Sequence, residues 1–447
     1  MKFIKTYFSK DNIASWLALV ANFGSALIVI PCAYLYLTEN ELALWFSMSL
    51  LVSISYFSDF GSSFSLIRLN QFARAGWQKL PGYGEKNKQE KTQNTKIEKP
   101  LLRFSFYRFL QSNIYFAGIG ALICYTIYNA RLSDEISAIT LLCICLSYLL
   151  NIPIQNSNIF ISSIFQSRDR VYYAKMYEFF GGALRILLQI ITLIIWKDIL
   201  LFALSHLIAS FLSLILGVIL LSQITSISSK NKTELNDESK QSFRKYQFRQ
   251  GGLVSSSFLI ANSGGIIISQ ASDPVLVSSY FLTLKIILVL KNVCQVPILS
   301  KIPILGKLRA NNHTSELVNT FQYNHRLSIL LFTGLSVFSC TGLLILQKFY
   351  NLQLPILENN LLFLMLMFFL LELNHGNHAQ LYLTNNHHPF LIPAIVSGIF
   401  ILVLSWMLIG LFGVIGLIMS HGLIQLLFNN WYPIYLNKKD LPKIKVL

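Results

Sequence analysis

Apolar runs of membrane-spanning length recur along the whole chain with short polar breaks between them. They fall at roughly 13–37, 42–67, 104–129, 136–165, 172–196, 199–222, 251–271, 275–305, 327–347, 357–383, 390–412 and 414–435. A bilayer core of about 30 Å takes about 20 residues of helix, so the pattern predicts twelve transmembrane helices. The first run follows Lys2, Lys5 and Lys10, but Ile13 to Leu37 is too long for a signal-peptide core and reads as a retained helix. Two longer polar stretches interrupt the pattern. Residues 76–100 are rich in Lys, Glu, Gln and Asn and read as a disordered insertion. Residues 226–250 read as a linker, dividing the chain into an N-terminal six-helix lobe at 1–225 and a C-terminal lobe with a short tail at 251–447.

Composition agrees with this pattern. The 447 residues are 54% hydrophobic and only 13% charged, whereas soluble domains are about 25% charged. That excludes an ordinary soluble enzyme and a disordered chain. The net charge of +16 then has to be placed. With twelve spans, thirty of the 36 Lys and Arg fall on the side that holds both termini. The other side holds only Arg131, Lys197 and Lys348. Basic loops stay cytoplasmic, so both termini are expected inside. A miscounted span would invert the bias partway along the chain, and it does not invert. Trp16 and Trp431 fall near inner span ends and Trp45, Trp196 and Trp406 near outer ends, as an aromatic belt requires. The six cysteines lie in apolar runs without metal-ligand spacing and read as small core residues.

A faint repeat links the lobes. Leu19-Val20-Ala21-Asn22-Phe23-Gly24 resembles Leu259-Ile260-Ala261-Asn262-Ser263-Gly264, and Trp45-Phe46 corresponds to Tyr280-Phe281. Each lobe starts inside with an even number of spans, so the repeat is parallel, about an axis along the membrane normal.

Three cations remain inside spans: Arg185, Lys285 and Lys291. Ionisable groups at that depth are costly and mark functional sites by default. Arg185 and Lys285 fall near the midplane and suit an anionic ligand, Arg by a bidentate grip on phosphate and Lys as a point charge. The plainer alternative is internal neutralisation, with Glu178 two turns before Arg185 on nearly the same helix face. Lys291 lies closer to the inner surface, within reach of it by snorkelling. Asp59, in Ser58-Asp59-Phe60-Gly61, and Glu372, in Leu371-Glu372-Leu373-Asn374-His375, are candidates for ion coupling or for structural interhelical bonds. Asn22 and Asn262 occupy matching repeat positions and either line a pathway or bond neighbouring helices. His375 and His378 read as interfacial polarity, and His206 and His421 as isolated bundle residues. Pro31, Pro297 and Pro303 are candidate hinges.

No GxxxxGK[ST], GxGxxG, HExxH or GxSxG motif occurs, and no external loop is long enough to hold chemistry. An enzyme is not expected, no cofactor or metal is implied, and the basic residues follow topology rather than a nucleic-acid surface.

Leu44-Trp45-Phe46, then Ser58-Asp59-Phe60-Gly61 and Leu66-Ile67-Arg68, with Arg168-Asp169-Arg170 and Tyr177-Glu178 entering span five, resemble the polysaccharide branch of the multidrug/oligosaccharidyl-lipid/polysaccharide (MOP) exporter superfamily. The resemblance covers nearly the whole chain and implies a MOP/MATE-like all-α fold. It implies flipping of an undecaprenyl-diphosphate-linked oligosaccharide across the bacterial inner membrane, for surface polysaccharide or O-antigen assembly. A polysaccharide polymerase and a chain-length regulator are the protein partners it suggests. Arg185, Lys285, Lys291, Asn22 and Asn262 are then the expected substrate-binding residues, and Asp59, Glu178, Glu372 and Arg68 the expected coupling or charge network. A cation-coupled multidrug exporter of the same fold would need an acidic midplane. A membrane glycan polymerase or ligase would need a long external loop, and a non-transporting scaffold is a further alternative.

Overall fold

The computed structural model describes residues 10–24, 28–55, 58–74, 80, 97–129, 136–224, 235–270, 273–310, 313–350, 356–384 and 389–441. Regular structure among the described residues is helical. The helices are α1 (Lys10–Gly24), α2 (Ile30–Tyr36), α3 (Glu39–Ser55), α4 (Ser62–Arg74), α5 (Glu98–Asn129), α6 (Ala138–Ser167), α7 (Val171–Ile195) and α8 (Ile199–Ile224). They continue with α9 (Asp237–Ile268), α10 (Pro274–Leu299), α11 (Ile302–Ala310), α12 (Thr314–Tyr350), α13 (Asn359–Leu383), α14 (Leu391–Phe412), α15 (Val414–Ile424) and α16 (Trp431–Asp440).

All twelve apolar runs coincide with these helices. Among the described residues eight helices, α5 to α10, α12 and α14, are individually long and apolar enough to cross a membrane. The remaining runs are interrupted. The first is divided between α1 and α2, with Pro31 opening α2, where its missing N–H is harmless. The second breaks at the Asp59-Phe60-Gly61 turn. The tenth, α13, carries the polar run from Glu372 to His378. The twelfth contains a π turn, Gln425–Asn429, between α15 and α16. Helices α5, α9 and α12 each begin several residues before their apolar runs, all on the side expected to be cytoplasmic.

The chain forms two compact units: Met1–Phe258 with Ser269–Pro274, and Leu259–Ile268 with Val275–Leu447. The division differs from the expected linker at 226–250. From Asp237 onward that stretch is the first half of α9, capped by Asn236, whose Oδ1 accepts from the Ser239 N–H at 3.0 Å. Phe243 and Tyr246, one turn apart, enter the core of the first unit with Leu66, Leu101, Phe109 and Phe160. The charged residues around these two aromatics hide the helix in a composition scan. Most of the insertion at 76–100 lies outside the described residues.

In the first unit α7 packs along α1. A Cβ on Gly182 would meet the Cβ of Ala21 at 3.0 Å, so the small residue sets the approach. The Asp59-Phe60-Gly61 turn has φ of 46° at Phe60 and 76° at Gly61. It rests on α9, where a Cβ on Gly251 would stand 2.6 Å from the Phe60 carbonyl oxygen. The Arg168-Asp169-Arg170 motif ties this unit together at one end. Arg168 pairs with Glu98 at 3.0 Å, and Arg74 with Asp169 at 2.6 Å.

In the second unit Phe321, Leu317, Leu305, Ile298 and Leu381 form a buried cluster joining α10, α11, α12 and α13. Arg309 reaches Asp440 of α16 at 2.8 Å. Pro303 sits in the first turn of α11, after a break at Ser300–Lys301. Trp196, Trp406 and Trp431 are exposed, as a belt requires, whereas Trp45 is buried edge-on against Phe202.

Candidate functional site

The first unit holds a cavity of about 280 Å³ bounded by α4, α6, α7 and α8. Arg185 lies on its wall. Burial along α7 follows Ala174, Tyr177, Gly182, Arg185, Gln189 and Leu193, while Phe180, Leu187, Ile191 and Ile194 face outward. Helical periodicity therefore carries Arg185 inward. It is only 9% exposed, its Nε has no hydrogen-bond partner, and no carboxylate stands within ion-pair distance among the described residues. An unpaired buried cation costs several kcal/mol, a cost that an anion at this position would offset.

Glu178 lines the same cavity but does not neutralise Arg185. Its Oε2 takes Lys175 at 2.7 Å and its Oε1 accepts from Ser162 at 2.6 Å. The alternative of Glu178–Arg185 neutralisation is thereby replaced by a pairing one turn the other way along α7.

The rest of the wall was not singled out from the sequence. Gln155, Asn158, Ser162 and Gln166 of α6 line the cavity at spacings of three and four residues. Such a polar stripe in an otherwise apolar helix is a legible signal. Tyr177 donates to Asn158 Oδ1 at 2.6 Å, and Asn158 donates to the Ser210 carbonyl at 3.0 Å. Ser63 lines the cavity with its hydroxyl unpartnered.

Asp59 and Arg68 do not belong to this wall. Asp59 is buried with both oxygens engaged by its own turn, accepting from the Gly61 N–H at 3.0 Å and the Ser63 N–H at 2.7 Å. That is a helix-capping role at the start of α4. Arg68 places its guanidinium 5.0 Å from the centre of the Tyr246 ring. The side chain of Asn22 lies outside the described residues.

The second unit treats its cations differently. Lys291 of α10 meets Glu372 of α13 at 2.7 Å, with both side chains 15% exposed. The other Glu372 oxygen is 3.2 Å from Nε2 of His421 on α15, and the His421 ring stacks on Phe369 at 5.2 Å. His421 is therefore not isolated. Its partner is 49 residues away, beyond the reach of local spacing. His375 contacts the Asn429 carbonyl through Nδ1, and Asn374 donates to Asn430 Oδ1 at 2.7 Å. The π turn presents both asparagines to α13, as such turns often do at special sites. His378 is buried beside His325 rather than interfacial.

Lys285 is half-buried on α10 with no hydrogen bond or ion pair among the described residues. Asn262 is half-buried on α9, and its neighbours Ile260, Ala261 and Gly264, but not Asn262 itself, line a small cavity of about 20 Å³. Arg185 belongs to the first unit and Lys285 to the second.

No protein-family model matches this chain. No curated protein matches it by sequence. Solved structures do. The lipid II flippase MurJ in an inward closed conformation is 15% identical, with TM-score 0.66 over 96% of this chain and 90% of that one. An outward-facing multidrug resistance MATE family transporter of the MOP superfamily is 12% identical, with TM-score 0.59 over the full length of both chains. A MOP superfamily transporter from Pyrococcus furiosus, described by the reverse polarity of its binding pocket, is 10% identical, with TM-score 0.53 over 98% and 97%. The chain is thus a multi-pass, all-α membrane protein. Its fold is that of the MOP exporters, shared by lipid flippases and multidrug transporters.

Proposed function

We propose that this protein flips an undecaprenyl-diphosphate-linked oligosaccharide from the inner to the outer leaflet of a bacterial cytoplasmic membrane, for surface polysaccharide or O-antigen assembly. The observation that carries this reading is Arg185: a buried guanidinium without a counterion among the described residues, on the wall of a cavity lined by amides and hydroxyls. Guanidinium binds phosphate oxygens bidentately, and the amide–hydroxyl wall suits sugar. The fold shared with a lipid II flippase is consistent with such a lipid-linked substrate. A cationic drug would meet the wrong sign of charge at Arg185.

In this reading the diphosphate-sugar headgroup enters from the cytoplasmic leaflet and pairs with Arg185, and Lys285 is a second proposed cation for it. Its lipid tail stays in the bilayer. Alternating access then exposes the site to the outside and releases the headgroup, without covalent chemistry by the protein. Both termini are cytoplasmic, and a polymerase and a chain-length regulator receive the product. An ion gradient or the membrane potential resets the cycle, with Glu372 as its acidic group.

Arg185→Ala and Arg185→Gln should abolish glycan export with membrane insertion unchanged. Arg185→Lys should restore part of it, because the charge returns without the fork. Undiminished export by the Ala variant would end the anion-site reading.

A further inference from the structure

The cavity of the first unit has two chemically different ends. Arg185 and Glu178 both line it and stand seven residues apart on α7, which is two turns, or about 10 Å of rise. Gly181 and Gly182 line the cavity between them, where a Cβ would crowd Ser213 Oγ and Ala21 Cβ respectively, each at 3.0 Å. At one end is a cation with an unpartnered Nε. At the other is a carboxylate already held by Ser162 and Lys175. Lys175 does not line the cavity, so the face turned toward a ligand is the acid and not its counterion. Other polar groups on the wall include the Ser63 hydroxyl and the Gln155 amide, whose Oε1 accepts from the Ser210 hydroxyl at 3.3 Å while its NH2 remains to donate. The volume of about 280 Å³ lies at the small end of ligand pockets. It has room for a phosphoryl group and one sugar ring, not for an oligosaccharide.

We infer that this cavity is a bipolar subsite for the phosphate and the first sugar of the substrate, and that Glu178 selects at that position for a neutral, hydroxyl- or acylamino-bearing sugar against a uronic acid. The inference rests on the anion reading of Arg185 and adds the part of the headgroup that the first unit reads. The phosphate sits against Arg185. The sugar lies over Gly181 and Gly182, with hydrogen bonds to Gln155 and Ser63. Its far hydroxyls donate toward Glu178. A sugar carboxylate there would meet the like charge of the Glu178 carboxylate, which costs affinity. Any charged sugars of the glycan then belong farther along the chain, outside this subsite.

The test uses the full-length protein in lipid nanodiscs and three probes: undecaprenyl diphosphate bare, carrying N-acetylglucosamine, and carrying glucuronic acid. Binding is titrated by native mass spectrometry. The wild-type protein should bind the N-acetylglucosamine lipid about tenfold more tightly than the glucuronic acid lipid. Glu178→Gln should bring the two within about twofold, and Glu178→Asp should retain the preference. Gln155→Ala should narrow the gap between the sugar-bearing and bare lipids without altering charge, which keeps the test open if Glu178→Gln folds poorly. Equal binding of the neutral and uronic lipids by wild type would overturn the bipolar subsite while leaving Arg185 as an anion site. Unchanged binding of the bare lipid by Arg185→Ala would overturn the anion reading and this inference with it.

Discussion

Lys291 Nζ lies 2.7 Å from Glu372 Oε1, with only 15% of either side chain exposed. The other Glu372 oxygen faces His421 at 3.2 Å. A span cation that looks like a substrate ligand in the sequence is here occupied by a partner three helices on, on α13. Removing one member of a buried pair strands the other charge and costs about 3 kcal/mol. Lys291→Met should therefore lower the melting temperature of the purified protein, and Glu372→Gln should do the same. The double variant should recover most of the loss, because two neutral side chains strand nothing. A double variant as unstable as the sum of the singles would show that the pair is not the source of the effect.

Much of the fold was legible because a membrane imposes length and polarity on every span. The twelve apolar runs coincide with helices, and Pro31 and Pro303 open α2 and α11. The start of α9 was not legible, because Phe243 and Tyr246 are embedded among Lys240, Arg244, Lys245 and Arg249 and the average reads as a linker. The site was half legible. Arg185 stands out by depth alone, and the Gln155–Gln166 stripe repeats at helical spacing. The partners of Glu178 and Glu372 did not follow from local spacing. Lys175 and Arg185 lie on opposite sides of Glu178 along α7, and only tertiary packing selects between them. His421 reaches Glu372 through a fold contact that sequence distance hides.

Asp59 is engaged at both oxygens by the N–H groups of Gly61 and Ser63. Losing a cap of this kind costs about 1–2 kcal/mol. Asp59→Ala should lower thermal stability by that order. Asp59→Asn keeps one acceptor oxygen and should lose less, with export per folded molecule close to wild type. Loss of export in the Asn variant at unchanged melting temperature would return Asp59 to the ion-coupling network.

The turn that Asp59 caps is seated on Gly251. A Cβ there would stand 2.5 Å from the Phe60 ring and 2.6 Å from its carbonyl oxygen. The ring is itself held by Phe116 and Phe248, each with its centroid 6.0 Å away, and the carbonyl is backbone. Neither yields cheaply, and overpacking of this kind costs about 1–3 kcal/mol. Gly251→Ala should reduce the yield of monodisperse protein in detergent. Gly118→Ala should not, because a Cβ at Gly118 meets nothing within 4 Å.

Lys285 separates a binding role from a structural one. It shares α10 with Lys291, six residues nearer the expected midplane, yet no carboxylate or hydrogen-bond acceptor meets it among the described residues. A cation held for structure loses stability when it is removed, as Lys291 should. A cation held for a ligand does not, since a methionine of similar length fills the same space without the cost of burying a charge. Lys285→Met should therefore melt at or above the wild-type temperature while glycan export falls at least tenfold, a loss of about 1.4 kcal/mol or more in effective headgroup stabilisation. Added undecaprenyl diphosphate should raise the wild-type melting temperature more than that of the variant, because a ligand stabilises only the state it binds. A variant that melts lower and exports normally would place Lys285 among the structural residues and leave Arg185 as the one cation assigned to the headgroup.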